Sequence, residues 1–188
     1  MSATAAQPVT AALAPGRWVV DPGHSTLEFR VRHAGVARVR GVFRDFEGAL
    51  GVAPDGTLSV AGSVAAASLD TGLDARDRHL RSPDFFDVER HPRLAFASTA
   101  VTVGAHGSLT VRGDLTIRGV TREIELRGEV LGTGRDDDHA ERAGLELTAR
   151  LDRRDYGLTW NAAVDGGGVL VGNRVDLVLE ISAVWYGA

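Results

Sequence analysis

Apolar and polar residues alternate strictly in run after run, and this constrains the chain more than any other feature. Leu27, Phe29 and Val31 share one parity, while Thr26, Glu28, Arg30 and Arg32 take the other. Leu58, Val60, Val64 and Ala66 repeat the pattern, as do Leu109, Val111, Leu115 and Ile117. So do Ile124, Leu126 and Val130, then Leu145, Leu147, Ala149 and Leu151, and finally Val175, Leu177, Leu179, Ile181 and Ala183. A period of two puts one face of each strand inside and the other in water, the usual state of an antiparallel sheet. Asp55-Gly56, Gly104-Ala-His-Gly107 and Gly166-Gly-Gly168 punctuate the runs as turns. Residues 132–144, rich in Asp, Gly and Arg, read as a polar loop. The expectation is an all-β chain of about eight strands in an antiparallel meander, closed into a barrel so that no sheet edge stays exposed.

One short helix interrupts the sheet. Thr71 and Asp74 have the spacing of a capping box, with Asp in the usual Glu position. Asp74 with Arg78 and Asp77 with Arg81 form i,i+4 pairs, and Ser82-Pro83 ends the helix because the residue before proline avoids helical angles. Leu73, Asp77 and Leu80 share a face, which draws one carboxylate toward the barrel. Residues 1–16 are rich in Ala, Pro and Thr and lack periodicity, so they read as a disordered leader ahead of one domain over 17–188. This start has no basic flank before an apolar run, which predicts a cytoplasmic protein, with export as the alternative. No later segment has the length and hydropathy of a membrane-spanning helix.

Several chemistries lack their residues. All 21 basic side chains are Arg, so lysine nucleophiles and Schiff bases are excluded. Cysteine is absent, which removes disulfides, thiolate catalysis and thiolate metal sites. A net charge of −4 gives no global field for nucleic acid. No Gly-x-Ser-x-Gly elbow or cofactor fingerprint is present, and no resident cofactor is expected. His79, His91, Asp84, Asp87 and Glu89 lack compact metal-ligand spacing, and Asp136-Asp137-Asp138-His139 lacks the Gly and distant Glu of a calcium loop, so no metal is expected.

On the inward parity, large residues alternate with Gly62, Ala66, Gly113, Gly128, Ala149 and Ala183. Small residues there either leave a cavity or admit a close-packed neighbouring strand. If a cavity exists, its walls are Leu27, Phe29, Phe43, Leu115, Ile117, Leu126, Leu147, Trp160 and Leu177. His33 shares the parity of Leu27 and is the candidate polar group inside, or else a rim histidine bonded to backbone. Arg76, Asp77, His79, Arg81 and Asp84 form a charged cluster. It is either a head-group site at the mouth or a helix satisfied by its own ion pairs and solvent.

The block from Ser68 to Thr99, SLDTGLDARDRHLRSPDFFDVERHPRLAFAST, is dense and distinctive. It follows Asp21-Pro-Gly-His24-Ser25-Thr-Leu-Glu-Phe29 and His33-Ala-Gly35, and precedes Arg118-Gly-Val-Thr-Arg122. In this order, from about Trp18 to Trp185, the segments resemble the YceI-like polyisoprenoid-binding family. The stretch Arg153-Arg-Asp-Tyr156-Gly-Leu-Thr-Trp160-Asn161 resembles a further family segment, with Tyr156 and Trp160 as pocket walls and Arg153 and Arg154 as partners of buried carboxylates. The resemblance implies a lipocalin-like eight-stranded barrel that holds a long-chain isoprenoid or similar lipid, works without catalysis and forms a homodimer. Two rivals stay open. One is an enzyme acting on a lipid or quinone with His33 or the Asp77/His79 pair as acid and base; the other is a packed structural domain.

Overall fold

A computed structural model describes residues 13–164 and 167–187. Its strands are β1 (Gly16–Val20), β2 (Thr26–His33), β3 (Ala37–Phe43), β4 (Phe46–Val52), β5 (Leu58–Ala65), β6 (Leu69–Asp70), β7 (Arg93–Val103), β8 (Ser108–Ile117), β9 (Val120–Arg135), β10 (Glu141–Asp152) and β11 (Val171–Trp185), with one α-helix, α1 (Asp74–Arg81). β1 bends into β2, β3 into β4 and β5 into β6, so these segments and the remaining five strands make eight antiparallel walls. The last wall closes on the first: β11 pairs with β2 along its first part and with β1 near its end. A closed barrel with one helix is therefore the architecture, as the alternation predicts.

The turns explain several of the distinctive sequence segments. In Arg118-Gly119 both residues have positive φ, 51° and 74°, which is the two-residue hairpin geometry whose twist matches its strands. His91 packs within 3.1 Å of where a Gly119 Cβ would stand, so this tight hairpin also anchors the segment before β7. Asp21-Pro22-Gly23-His24 forms the corner between β1 and β2, with Asp21 accepting from the Gly23 amide at 3.0 Å. Ser25 ties that corner to β11, since its hydroxyl accepts from Ser182 N at 2.9 Å.

Two expectations need correction at the barrel floor. Residues 1–12 lie outside the described residues, but 13–16, placed in the leader by the sequence, are packed. Leu13 is only 5% exposed within the core of the floor, and the Ala14 and Pro15 carbonyls accept from the indole nitrogens of Trp18 and Trp185. Local periodicity carries no sign of such a contact, because its partners lie on distant strands. The supposed loop 132–144 is largely hairpin: Thr133 faces Ala143 and Arg135 faces Glu141 across the extended β9–β10 pair. Gly166 falls outside the described residues, so its turn is not placed.

Within that hairpin, Asp136 is more than a solvated loop residue. Arg142 donates from Nη1 to Asp21 at 2.7 Å and from Nε to Asp136 at 2.6 Å, clamping the hairpin to the β1–β2 corner. The guanidinium and then His24 hold the Asp21 carboxyl at about 2, and Arg142 lowers Asp136 as well. A carboxyl lowered by folding adds stability that is present above its unfolded value, about 4, and is lost as pH falls through its folded value. We expect Arg142→Met to lower Tm at neutral pH by a few degrees. The two proteins should converge between about pH 4 and pH 2 in thermal melts followed by circular dichroism. A constant gap across that range would exclude the clamp as the source.

Candidate functional site

Two cavities lie end to end inside the barrel. The lower one, about 220 Å³, is walled by Leu27, Phe46, Leu50, Val60, Leu115, Leu126 and Leu147 among others, with Leu13 at its floor. The upper one, about 460 Å³, lies beneath α1 and the segment that leads into β11, against His33, Val39, Leu80, Trp160, Leu170 and Val175. Phe29, Phe43, Leu94, Ile117 and Leu177 border both and form the waist. Phe29 and Phe43 stand 5.6 Å apart there, and Phe43 meets Phe86 edge-on at 5.9 Å. All nine cavity residues named from parity and strand-end aromatics line one chamber or both.

The space does not arise where the small residues suggested. Gly113 lies under the ring of Phe96, and the carbonyl of Glu146 approaches Gly128 so closely that no Cβ would fit. Ala66 is fully buried and Ala149 is packed against the floor core, so of the six only Gly62 and Ala183 border a chamber. A glycine that the sequence did not single out has the same role as Gly113: the Phe29 ring lies across Gly41, 2.2 Å from where a Cβ would stand. Glycine thus seats aromatic rings flat against the wall, a cross-strand arrangement invisible to parity.

The charged cluster divides. Arg76 and His79 border the upper chamber; Asp77 and Arg81 do not. Gly72, with φ of 77°, delays the helix to Asp74, so no capping box forms between Thr71 and Asp74. Asp77 reaches back instead, accepting from the Thr71 amide at 3.1 Å and its hydroxyl at 2.5 Å. Thr71 in turn accepts from Arg76 Nε at 2.7 Å, which fixes the arginine in the chamber wall. Arg81 donates to the Ala67 and Leu69 carbonyls at 2.8 and 2.6 Å. Neither expected i,i+4 ion pair forms: Thr71 takes the buried Asp77 carboxylate, and backbone carbonyls take Arg81. His79 lies edge-on to Trp160 at 4.5 Å and within 2.8 Å of Asp84, so the proposed Asp77/His79 acid–base pair does not form.

Tyr156 and Arg153 also differ from expectation. Tyr156 is fully buried in the core beside the helix, away from both chambers, where its hydroxyl has no partner among the described residues and burial pushes it up to about 12. Arg153, 4% exposed, meets no carboxylate among the described residues. It donates to the Leu158, Trp160, Val171 and Gly172 carbonyls and to Asn173 Oδ1, using all five of its N–H donors. It thereby holds the chamber roof, and Asn161 adds two bonds to Val171. Sequence reasoning missed Val31, Val39 and Val175, although each shares the parity of a named wall residue. Arg32, Leu73 and Leu170 had no such signal, since they reach the chamber from its rim. Among the described residues no group of three or more metal-type donors comes together.

These contacts narrow the mutational contrast that a buried Asp77 and an exposed Arg81 would imply. Asp77→Ala leaves the half-buried amide and hydroxyl of Thr71 without an acceptor, a loss of about 1–3 kcal/mol. Arg81→Ala, which an exposed mouth position would make nearly silent, is expected to cost about 1–2 kcal/mol because two charge-assisted bonds hold α1 to the β5–β6 bend. Urea unfolding of both variants checks this, and an unchanged midpoint for Arg81→Ala would remove it from the scaffold.

The relatives of the chain agree with this architecture. The family model described as the YceI-like domain matches residues 18–183. A UPF0312 protein of Vibrio cholerae is 35% identical over 171 residues, covering 89% of this chain and 86% of the relative. One of Staphylococcus aureus is 35% identical over 170 residues, covering 87% and 93%. Among solved structures, BcnA of Burkholderia cenocepacia superposes with a TM-score of 0.74 at 19% identity, over 87% of this chain and 98% of that one. A polyisoprenoid-binding domain from Saccharophagus degradans gives 0.69 at 15% identity, over 90% and 98%. With the family match spanning nearly the whole barrel and relatives above 30% identity along its length, the chain belongs to the YceI-like domain family.

Proposed function

We propose that this barrel holds a long-chain isoprenoid or similar lipid without transforming it, as a carrier or store. The observation that carries this reading is the waist: two hydrocarbon-walled chambers share Phe29, Phe43, Leu94, Ile117 and Leu177, so one extended apolar chain can occupy both. The upper volume is that of an ordinary ligand pocket. Each buried methylene-sized group contributes roughly 0.8 kcal/mol, and a five-carbon unit therefore about 3 to 4. Association costs several kcal/mol or more, so a few units must be buried before binding is firm. The Saccharophagus domain, described as polyisoprenoid-binding, supports the ligand class. Arg32 and Arg76, rather than Arg81, stand where a polar head group would emerge.

Native mass spectrometry of the purified protein, followed by organic extraction, tests the proposal. A co-purifying polyprenyl mass is the expected result, and the same spectrum reads the homodimer that the family resemblance implies. No adduct, together with no uptake of an added long-chain polyprenol, would overturn it in favour of a structural role.

A further inference from the structure

The β2–β3 hairpin carries an arrangement that the folding of the barrel does not use. On its outer face Arg30 stands directly across from Arg40, and Arg32 across from Arg38. Like charges directly opposite in an antiparallel pair are destabilising, and here the arrangement occurs twice in succession. Glu28 relieves Arg30 alone. Arg32 donates only to the Gly35 carbonyl at its own turn, and Arg38 and Arg40 meet no carboxylate among the described residues. The neighbouring acids are already engaged: Asp176 with Arg150 and Arg174, Asp70 with Arg44. A chain of net charge −4 therefore concentrates on one hairpin three arginines, Arg32, Arg38 and Arg40, that have no carboxylate partner among the described residues.

The tip of the same hairpin is apolar and exposed. Val36 is 88% exposed, and the turn is tied to Leu170 by a 2.7 Å bond from the Ala34 amide. Beside Leu170 stands Val169, 51% exposed, and across the mouth stands Leu73, 54% exposed. Leu73, Arg32 and Leu170 all border the upper chamber, so these groups share one rim. Basic side chains behind a protruding apolar edge are the pattern that holds a protein at an anionic bilayer, cations at the head groups and apolar groups among the acyl boundary.

We propose that the β2–β3 hairpin and the rim formed with Leu73 and Val169 dock this protein on an anionic lipid bilayer, with the mouth of the upper chamber facing the membrane. The docking face stands on its own surface chemistry and does not depend on what fills the barrel. An arginine near an anionic surface is worth about fivefold in binding. The protein should co-sediment with phosphatidylcholine vesicles containing phosphatidylglycerol and not with phosphatidylcholine alone. Binding should vanish at about 0.5 M salt, where charges are screened within a few ångströms. The double variant Arg38→Gln/Arg40→Gln should bind about twentyfold more weakly. Val36→Asp should weaken binding even at low salt, while Arg112→Gln on β8, across the barrel, should leave it unchanged. All these residues are exposed, so circular dichroism should show native folding.

No sedimentation with the anionic vesicles, or equal sedimentation with both kinds, would overturn the proposal. A double variant that instead converts a dimer to a monomer in analytical ultracentrifugation would assign the face to a second copy of the chain. Tighter retention by a nucleic acid oligomer than by vesicles would assign it there. Docking that persists with delipidated protein is independent of ligand binding, and loss of docking in a variant from which lipid is still extracted leaves the carrier reading intact.

Discussion

Replacing Arg153 with methionine is expected to cost at least about 3 kcal/mol, because the change removes a charge but leaves its acceptors behind. Four backbone carbonyls and an Asn side chain converge on this guanidinium, and the carbonyls belong to the segment over the upper chamber. Methionine matches the volume and offers no donor, so several buried acceptors go unsatisfied at roughly 1–3 kcal/mol each, with partial relief by relaxation. In a domain of this size the fall in Tm is about 6 to 12 °C. Arg153→Lys should recover less than half of it, since an ammonium on a flexible stem cannot address five acceptors in a fork. The loss should extend to function: with Trp160 and Val171 no longer held, lipid retention should fall even under conditions where the barrel stays folded. Thermal melts and extraction of the same preparations read both effects. A Tm change under about 2 °C would show that water already reaches those carbonyls, and Arg153 would be removed from the account of the roof.

This arginine also marks where the sequence stops being legible. Alternation is a local property, and it located the walls: the parity of Leu27, Leu115 and Leu177 survives folding because each strand must turn one face inward. Hairpin chemistry is equally local, and Asp55-Gly56 performs as its residues imply, with Asp55 accepting from Thr57. What the sequence hid are partnerships across long separations. Nothing near Leu13 announces that it closes the barrel floor, and nothing near Arg153 says that its partners are carbonyls of residues 158 to 172 rather than carboxylates. The helix failed for a narrower reason. Thr71 and Asp74 have capping-box spacing, but Gly72 takes a left-handed conformation that moves the start of α1 and delivers Asp77 to Thr71 instead. Gly113 misled in another way, and Gly41, not singled out, has the same arrangement. Both face inward, yet each is occupied by the ring of a neighbouring strand, so small side chains seat aromatics and the void lies elsewhere.

Leu177→Trp tests whether the two chambers serve one ligand. Leu177 sits on β11 opposite Phe29 and Ala149, at the waist that borders both cavities. An indole there closes the passage and leaves the upper space of about 460 Å³ largely intact. Long chains then lose the lower chamber. Each five-carbon unit excluded removes about 3 kcal/mol of burial, so affinity for a polyprenol long enough to cross the waist should fall at least a hundredfold. A short prenol that fits the upper chamber should change by only a few-fold. Overpacking costs about 1–3 kcal/mol of stability, which a domain of this size tolerates, and Leu177→Phe supplies a milder step in the same series. Lipid extracted from the variant should shift toward shorter chains or disappear, while added short prenols still bind by native mass spectrometry. Unchanged affinity for the long chain would mean that it lies wholly above the waist, and the lower chamber would then be packing space and no part of the binding site.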